Sequence, residues 1–201
     1  MENRPEFSLR LRYSQRKGLT QYALTDETTF SDERSIRVRW QLVRAFSNQT
    51  ELIQRKDALS APQSDYRVRS ILSRSLETDW TYRPEQSIEL GLKVSVGAAL
   101  NFDTSRADLN TESIRTVYSL SEKGQAKAEF TREEVVLAGL GGGVVPFELT
   151  GGRVSGQSWL WHFGLEYRLT QFIQSTISYD GRSVGGSSPV HTAKAEVRAF
   201  F

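Results

Sequence analysis

The constraint that governs this chain is a two-residue alternation of apolar and polar side chains, repeated along nearly its whole length. Helix-period stretches of useful length are absent. In the stretch 88–98, Ile88, Leu90, Leu92, Val94, Val96 and Ala98 share one phase, against Glu89, Gly91, Lys93, Ser95 and Gly97. A strand sends successive side chains to opposite faces, so such a segment has one greasy and one polar face. The same pattern runs through 7–16, where Phe7, Leu9, Leu11 and Tyr13 oppose Ser8, Arg10 and Arg12. It also runs through 33–46, where Ile36, Val38, Trp40 and Leu42 oppose Arg37, Arg39 and Gln41. Further segments lie near 65–81, 112–121, 126–136, 159–169, 173–180 and 191–201. A segment at 50–59 is poorer, with polar residues in both phases.

Counted together these make ten strands, or eight if 33–59 holds one hairpin too many. The connections alternate between tight turns and mostly longer loops. The longest loop, 138–157, is rich in glycine, holds Pro146 and is expected to stand outside as an external loop. Short turns alternating with longer loops are the mark of an up-and-down transmembrane barrel. The reading is therefore a single all-β domain over residues 1–201: an antiparallel up-and-down transmembrane β-barrel of about ten strands. Chain length fits one domain. No run of eighteen apolar residues exists, so a helical span is excluded. The negative mean hydropathy does not oppose a barrel, because apolar-out and polar-in positions average out.

Other classes fall away on composition. Cysteine is absent, which removes disulfides, thiolate metal sites and cysteine nucleophiles. A formal net charge of +2 with many charges of both signs argues against a nucleic-acid partner. The Gly139–Gly143 run lacks the Gly-Lys-Ser/Thr ending of a phosphate loop and reads as a surface loop. No cofactor is expected, and no metal.

The last segment, His191 to Phe201, places Ala193, Ala195, Val197, Ala199 and Phe201 on one phase and ends on that aromatic. In this it resembles the C-terminal targeting strand of bacterial outer-membrane β-barrels. That resemblance implies residence in the outer membrane of a Gram-negative-type bacterium and insertion by the barrel-assembly machinery. Its signal would be Ala195, Val197, Ala199 and Phe201. The start, Met-Glu-Asn-Arg-Pro-Glu-Phe, has no apolar h-region. The expectation is that the chain is the C-terminal section of a longer protein rather than one whose signal has been removed.

Two residue sets follow. Trp80, Tyr82, Trp159, Trp161, Tyr167 and Tyr179 fall on the apolar phase near strand ends, as interfacial rings do. Arg10, Arg12, Arg37, Arg39, Arg67, Arg69, Glu89, Lys93, Glu129, Glu166 and Arg168 fall on the other phase, as a lumen of mutually compensating ions. A sharper alternative makes the arginines a path for anions or anionic headgroups. Against the pattern, Arg44 and Arg74 fall on the apolar phase, where Arg at mid-bilayer costs roughly 2–4 kcal/mol. A bulge near 70–71 would re-phase the fourth strand. Alternatively, strands two to four face a missing N-terminal part of a larger barrel or another chain.

His162 lies on the charged phase, with Glu166 its expected partner, and His191 lies on the apolar phase, so no metal pair forms. No nucleophile accompanies His162, and the chain is not expected to be an enzyme. The functional expectation is an outer-membrane barrel acting as anchor, pore or part of an export or transport assembly. The alternatives are a soluble antiparallel β-barrel carrying a lipid inside, and a barrel enzyme at the loop face.

Overall fold

The computed structural model describes residues 6–21, 26–61, 68–101, 105–120, 123–139 and 147–200. They form one antiparallel sheet of ten strands in simple sequence order. The strands are β1 (Glu6–Gln21), β2 (Asp26–Val43), β3 (Phe46–Ser60), β4 (Arg69–Glu85), β5 (Ile88–Asn101), β6 (Arg106–Ser119), β7 (Gly124–Ala138), β8 (Gly156–Arg168), β9 (Ile173–Ser183) and β10 (Val190–Ala199). A single helical turn, α1 (Phe147–Thr150), interrupts the connection between β7 and β8. The all-β up-and-down meander expected from the alternation is the fold. Among the described residues no ladder joins β10 back to β1, and both of those strands are exposed almost throughout.

Because the period of a strand is two, the register decides which side chains share a face. Leu9 pairs with Val38 on β2, Trp80 with Leu92 on β5, Phe130 with Trp161 on β8, and Ile177 with Ala195 on β10. Every one of these is an apolar-phase residue, so the greasy phases of all ten strands fall on one face. That face is open: Leu9 is 57% exposed, Leu92 41% and Val96 54%. The charged-phase face is the sheltered one. Among the described residues its apolar core lies at the long-loop end, where Ile71, Ala99 and Ala107 are buried against Leu149 of α1. The 138–157 loop therefore does not stand wholly outside: its described part turns back onto the charged face.

Three further expectations change. The poor third strand is a full one, paired on both sides. β4 runs from Arg69 to Tyr82 without a bulge at 70–71, so Arg74 stays on the apolar face. The irregularities lie instead beside two tight turns, between Gln41 and Val43 and between Tyr82 and Glu85. Arg44 sits in the first of these turns, outside the strand phase. Since β2, β3 and β4 are internal to the sheet, the free ladder edges are β1 and β10, not strands two to four.

The apolar band crosses the ladders obliquely. One hydrogen-bonded row links Trp80, Leu92, Ile114, Phe130 and Trp161. It lies near the short-turn end of β4 and near the long-loop end of β8. Strands staggered in this way are tilted relative to any band that encircles them, which is the geometry of a barrel wall.

Candidate functional site: the charged face and the aromatic rim

Adjacent strands bring opposite charges together across the sheltered face. Arg37 of β2 is matched in register with Glu51 of β3, and their side chains meet at 2.6 Å. Glu51 is only 14% exposed, so its pairing matters more than that of a surface acid. Glu89 bridges two guanidinium groups, Arg83 at 2.6 Å and Arg115 at 3.1 Å. Lys93 reaches Glu77 at 3.3 Å. Glu129 accepts a hydrogen bond from the Ser113 hydroxyl, which in turn accepts one from Thr131. Arg69 pairs with Glu148 of α1, and Arg153 just beyond it pairs with Glu133. The returning loop is thus tied by an ion pair on either side of Leu149.

Of the charges expected on this face, Arg37, Arg69, Glu89, Lys93 and Glu129 join such contacts. Arg10, Arg12, Arg39, Glu166 and Arg168 have no ion pair among the described residues, and Arg67 lies outside those residues. Arg10 faces Arg37 directly across the first ladder, with Arg12 and Arg39 one position to either side. This leaves a cationic stripe along β1 and β2. Alternation could not supply Glu51, Arg83, Arg115 or Glu148 as partners, because pairing depends on register and on the path of a loop.

Toward β10 the same face holds a cavity of about 630 Å³ lined by Glu129, Glu133, His162, Asp180, Arg182 and Lys194, among others. His162 pairs with Asp180, not Glu166: Nδ1 lies 2.6 Å from the Asp180 carboxylate on the neighbouring strand. Register is the reason: His162 stands directly opposite Asp180, while Glu166 lies two same-face positions along its own strand. Gly164, without a side chain, leaves room beneath the Nε2 edge of the ring.

On the opposite face the aromatic residues form contacts as well as a rim. Trp80, Tyr82, Trp159, Trp161, Tyr167 and Tyr179 all lie there. Trp161 lies over Gly181, where a methyl group would collide with the indole. The imidazole of His191 stacks on Tyr179 at 5.9 Å between ring centres, and the Tyr179 hydroxyl lies 2.8 Å from its Nδ1. Phe130 packs beside Trp159, over which the Arg132 guanidinium sits. Of the residues expected to form an insertion signal, Ala195, Val197 and Ala199 share this face, and Phe201 lies outside the described residues.

Polar residues interrupt the greasy face in two places: a charged cluster of Arg106, Asp108, Glu112, Arg132 and Glu134 toward the long-loop ends of β6 and β7, and an island around Asn48 near the short turn between β2 and β3. Asn48, 3% exposed, accepts from the Trp40 indole at 2.5 Å and donates to Thr78 at 3.0 Å, and Thr50 donates to its carbonyl. This network is why β3, polar in both phases, still fits: each hydrogen-bonding group is satisfied within the wall rather than left to its surroundings.

No family model matches this chain, and no curated protein matches it. Among solved structures it is similar to the translocator domain of the autotransporter NalP from Neisseria meningitidis, at 10% sequence identity and a TM-score of 0.35, covering 97% of this chain and 88% of that one. A correspondence this loose leaves the fold to rest on the ladders themselves.

Proposed function

We propose that the protein is an outer-membrane β-barrel wall, lipid on its apolar face and an ion-lined interior on the other, serving as an anchor, pore or part of an export or transport assembly. One observation carries this: most of the large aliphatic and aromatic side chains of the ten strands share one face, and there they are exposed. Contiguous apolar surface of that extent is rare on soluble monomers. The lipid-carrier alternative needs the same residues inside, and here the charged phase is the sheltered one. α1 and its two ion pairs narrow the interior at the long-loop end, which supports a constricted rather than wide passage.

The partners in this reading are the bilayer and the barrel-assembly machinery, the latter engaging Ala195, Val197, Ala199 and Phe201. Fractionation and gel mobility test it together. The protein should partition with outer membranes, require detergent for extraction, and shift in dodecyl sulfate gels on boiling. Full solubility in buffer with heat-independent mobility would overturn it.

A further inference from the structure

On the apolar face a groove of about 550 Å³ crosses β3 to β7. Its apolar lining is Leu52, Leu76, Val96, Ala98 and Val136, with Asp108, Asn110 and Glu134 along the β6–β7 side. Arg74 and Arg106 line its long-loop end. Arg74 is the anomaly. It is exposed, directly opposite Gln54 on one side and Ala98 on the other, with Leu72 and Leu76 above and below it on its own strand. Among the described residues it has no ion pair. The acids that share the groove are already engaged: Asp108 by Arg106 at 2.7 Å and Glu134 by Arg132 at 2.9 Å. The groove therefore ends in one cation without an ion pair, Arg74, with the Arg106–Asp108 pair beyond the single intervening strand β5.

Arg74 stands where the aliphatic part of the face gives way to polar rows, with Gln54 and Asp108 in its own row, and a guanidinium left without an ion pair at such an edge gains from an anion. A phosphate diester meets it with the geometry guanidinium prefers, two parallel N–H donors on two oxygens. A free ion would leave the apolar floor below Arg74 unused. We propose that this groove holds one anionic phospholipid, its phosphate on Arg74 and an acyl chain along Leu52, Leu76, Val96 and Ala98. The inference rests on the membrane reading above.

The test uses the detergent-solubilised full chain in native mass spectrometry, titrated with phosphatidylglycerol. Wild type retains one phosphatidylglycerol at concentrations where further lipids do not stay bound. Arg74→Gln weakens that retention about fivefold, the contribution of one basic residue near an anionic lipid. Arg74→Lys keeps it within about twofold of wild type, and Arg168→Gln, on the charged face, leaves it unchanged. Millimolar inorganic phosphate does not displace the lipid. Equal retention by Arg74→Gln and wild type overturns the site. So does an equal loss in Arg168→Gln, which would mean diffuse charge attraction, and so does displacement by phosphate, which would mean a free-anion site. A protein that inserts in lipid and shifts on boiling yet gives any of these results loses the groove proposal alone. A protein soluble without detergent loses the membrane reading instead.

Discussion

Replacing Leu92 by arginine separates a lipid-facing wall from a water-facing one, because the two environments give the substitution very different costs. Leu92 is 41% exposed and sits between Trp80 and Ile114 in its row, with no carboxylate directly opposite to receive a new cation. It belongs to the central part of the apolar run on β5. In hydrocarbon, arginine near the middle of such a wall costs roughly 2–4 kcal/mol. At 1.36 kcal/mol per decade that is about 30- to 1000-fold in the folding equilibrium. In water, a substitution at a site this exposed falls within about 0.5 kcal/mol. Lys93→Gln, one residue along and on the other face, is the control. It removes a pair at 3.3 Å whose partners are 49% and 35% exposed, a contact worth about 0–1 kcal/mol. The assay is reversible urea unfolding in lipid vesicles, followed by tryptophan fluorescence. Destabilisation of Leu92→Arg by at least about 2 kcal/mol, with Lys93→Gln near wild type, is the expected outcome. Refolding of Leu92→Arg at wild-type urea concentrations would refute the assignment of faces.

Three other substitutions probe separate parts of the wall. Gly181→Ala forces the Trp161 indole off the sheet and should cost about 1–3 kcal/mol, visible as a shift in tryptophan emission and a lower urea midpoint; an unchanged spectrum and midpoint would contradict the packing. Leu149→Ala empties the buried contact with Ile71, Ala99 and Ala107, and it should free the loop around α1 rather than unfold the sheet, because one helical turn is a small unit. Limited proteolysis should cut that loop at least several times faster, with the urea midpoint little changed, and conductance across planar bilayers should rise if the loop narrows a passage. Asn48→Ala strips the Trp40 indole N–H and the Thr78 hydroxyl of their buried partner and should cost about 1–3 kcal/mol; stability within error of wild type would mean that water or lipid headgroups reach the island.

How much was legible before any coordinates depended on how local the signal was. The six alternating positions from Ile88 to Ala98 announce a strand and its greasy side without reference to any other segment, and the same holds for Phe7 to Tyr13. β3 was harder to read. Asn48 and Thr50 look wrong for an apolar face until Trp40 and Thr78 are brought beside them from neighbouring strands. Within its own strand His162 has Glu166 as the nearest same-face acid, while Asp180, eighteen residues on, is its register partner. Glu148 was hidden in a glycine-rich loop whose return onto the sheet nothing in its composition announces.

Periodicity, then, was enough to settle an all-β up-and-down chain of eight to ten strands with one greasy and one charged side, because a strand's two faces follow from backbone geometry one residue at a time. The ladders make the count ten among the described residues. Which charges neutralise each other, where Arg74 is left without a partner, and how the long loop folds inward were decided only by the tertiary structure. Those contacts depend on register between strands and on the closure of loops, and residues far apart in the chain share them.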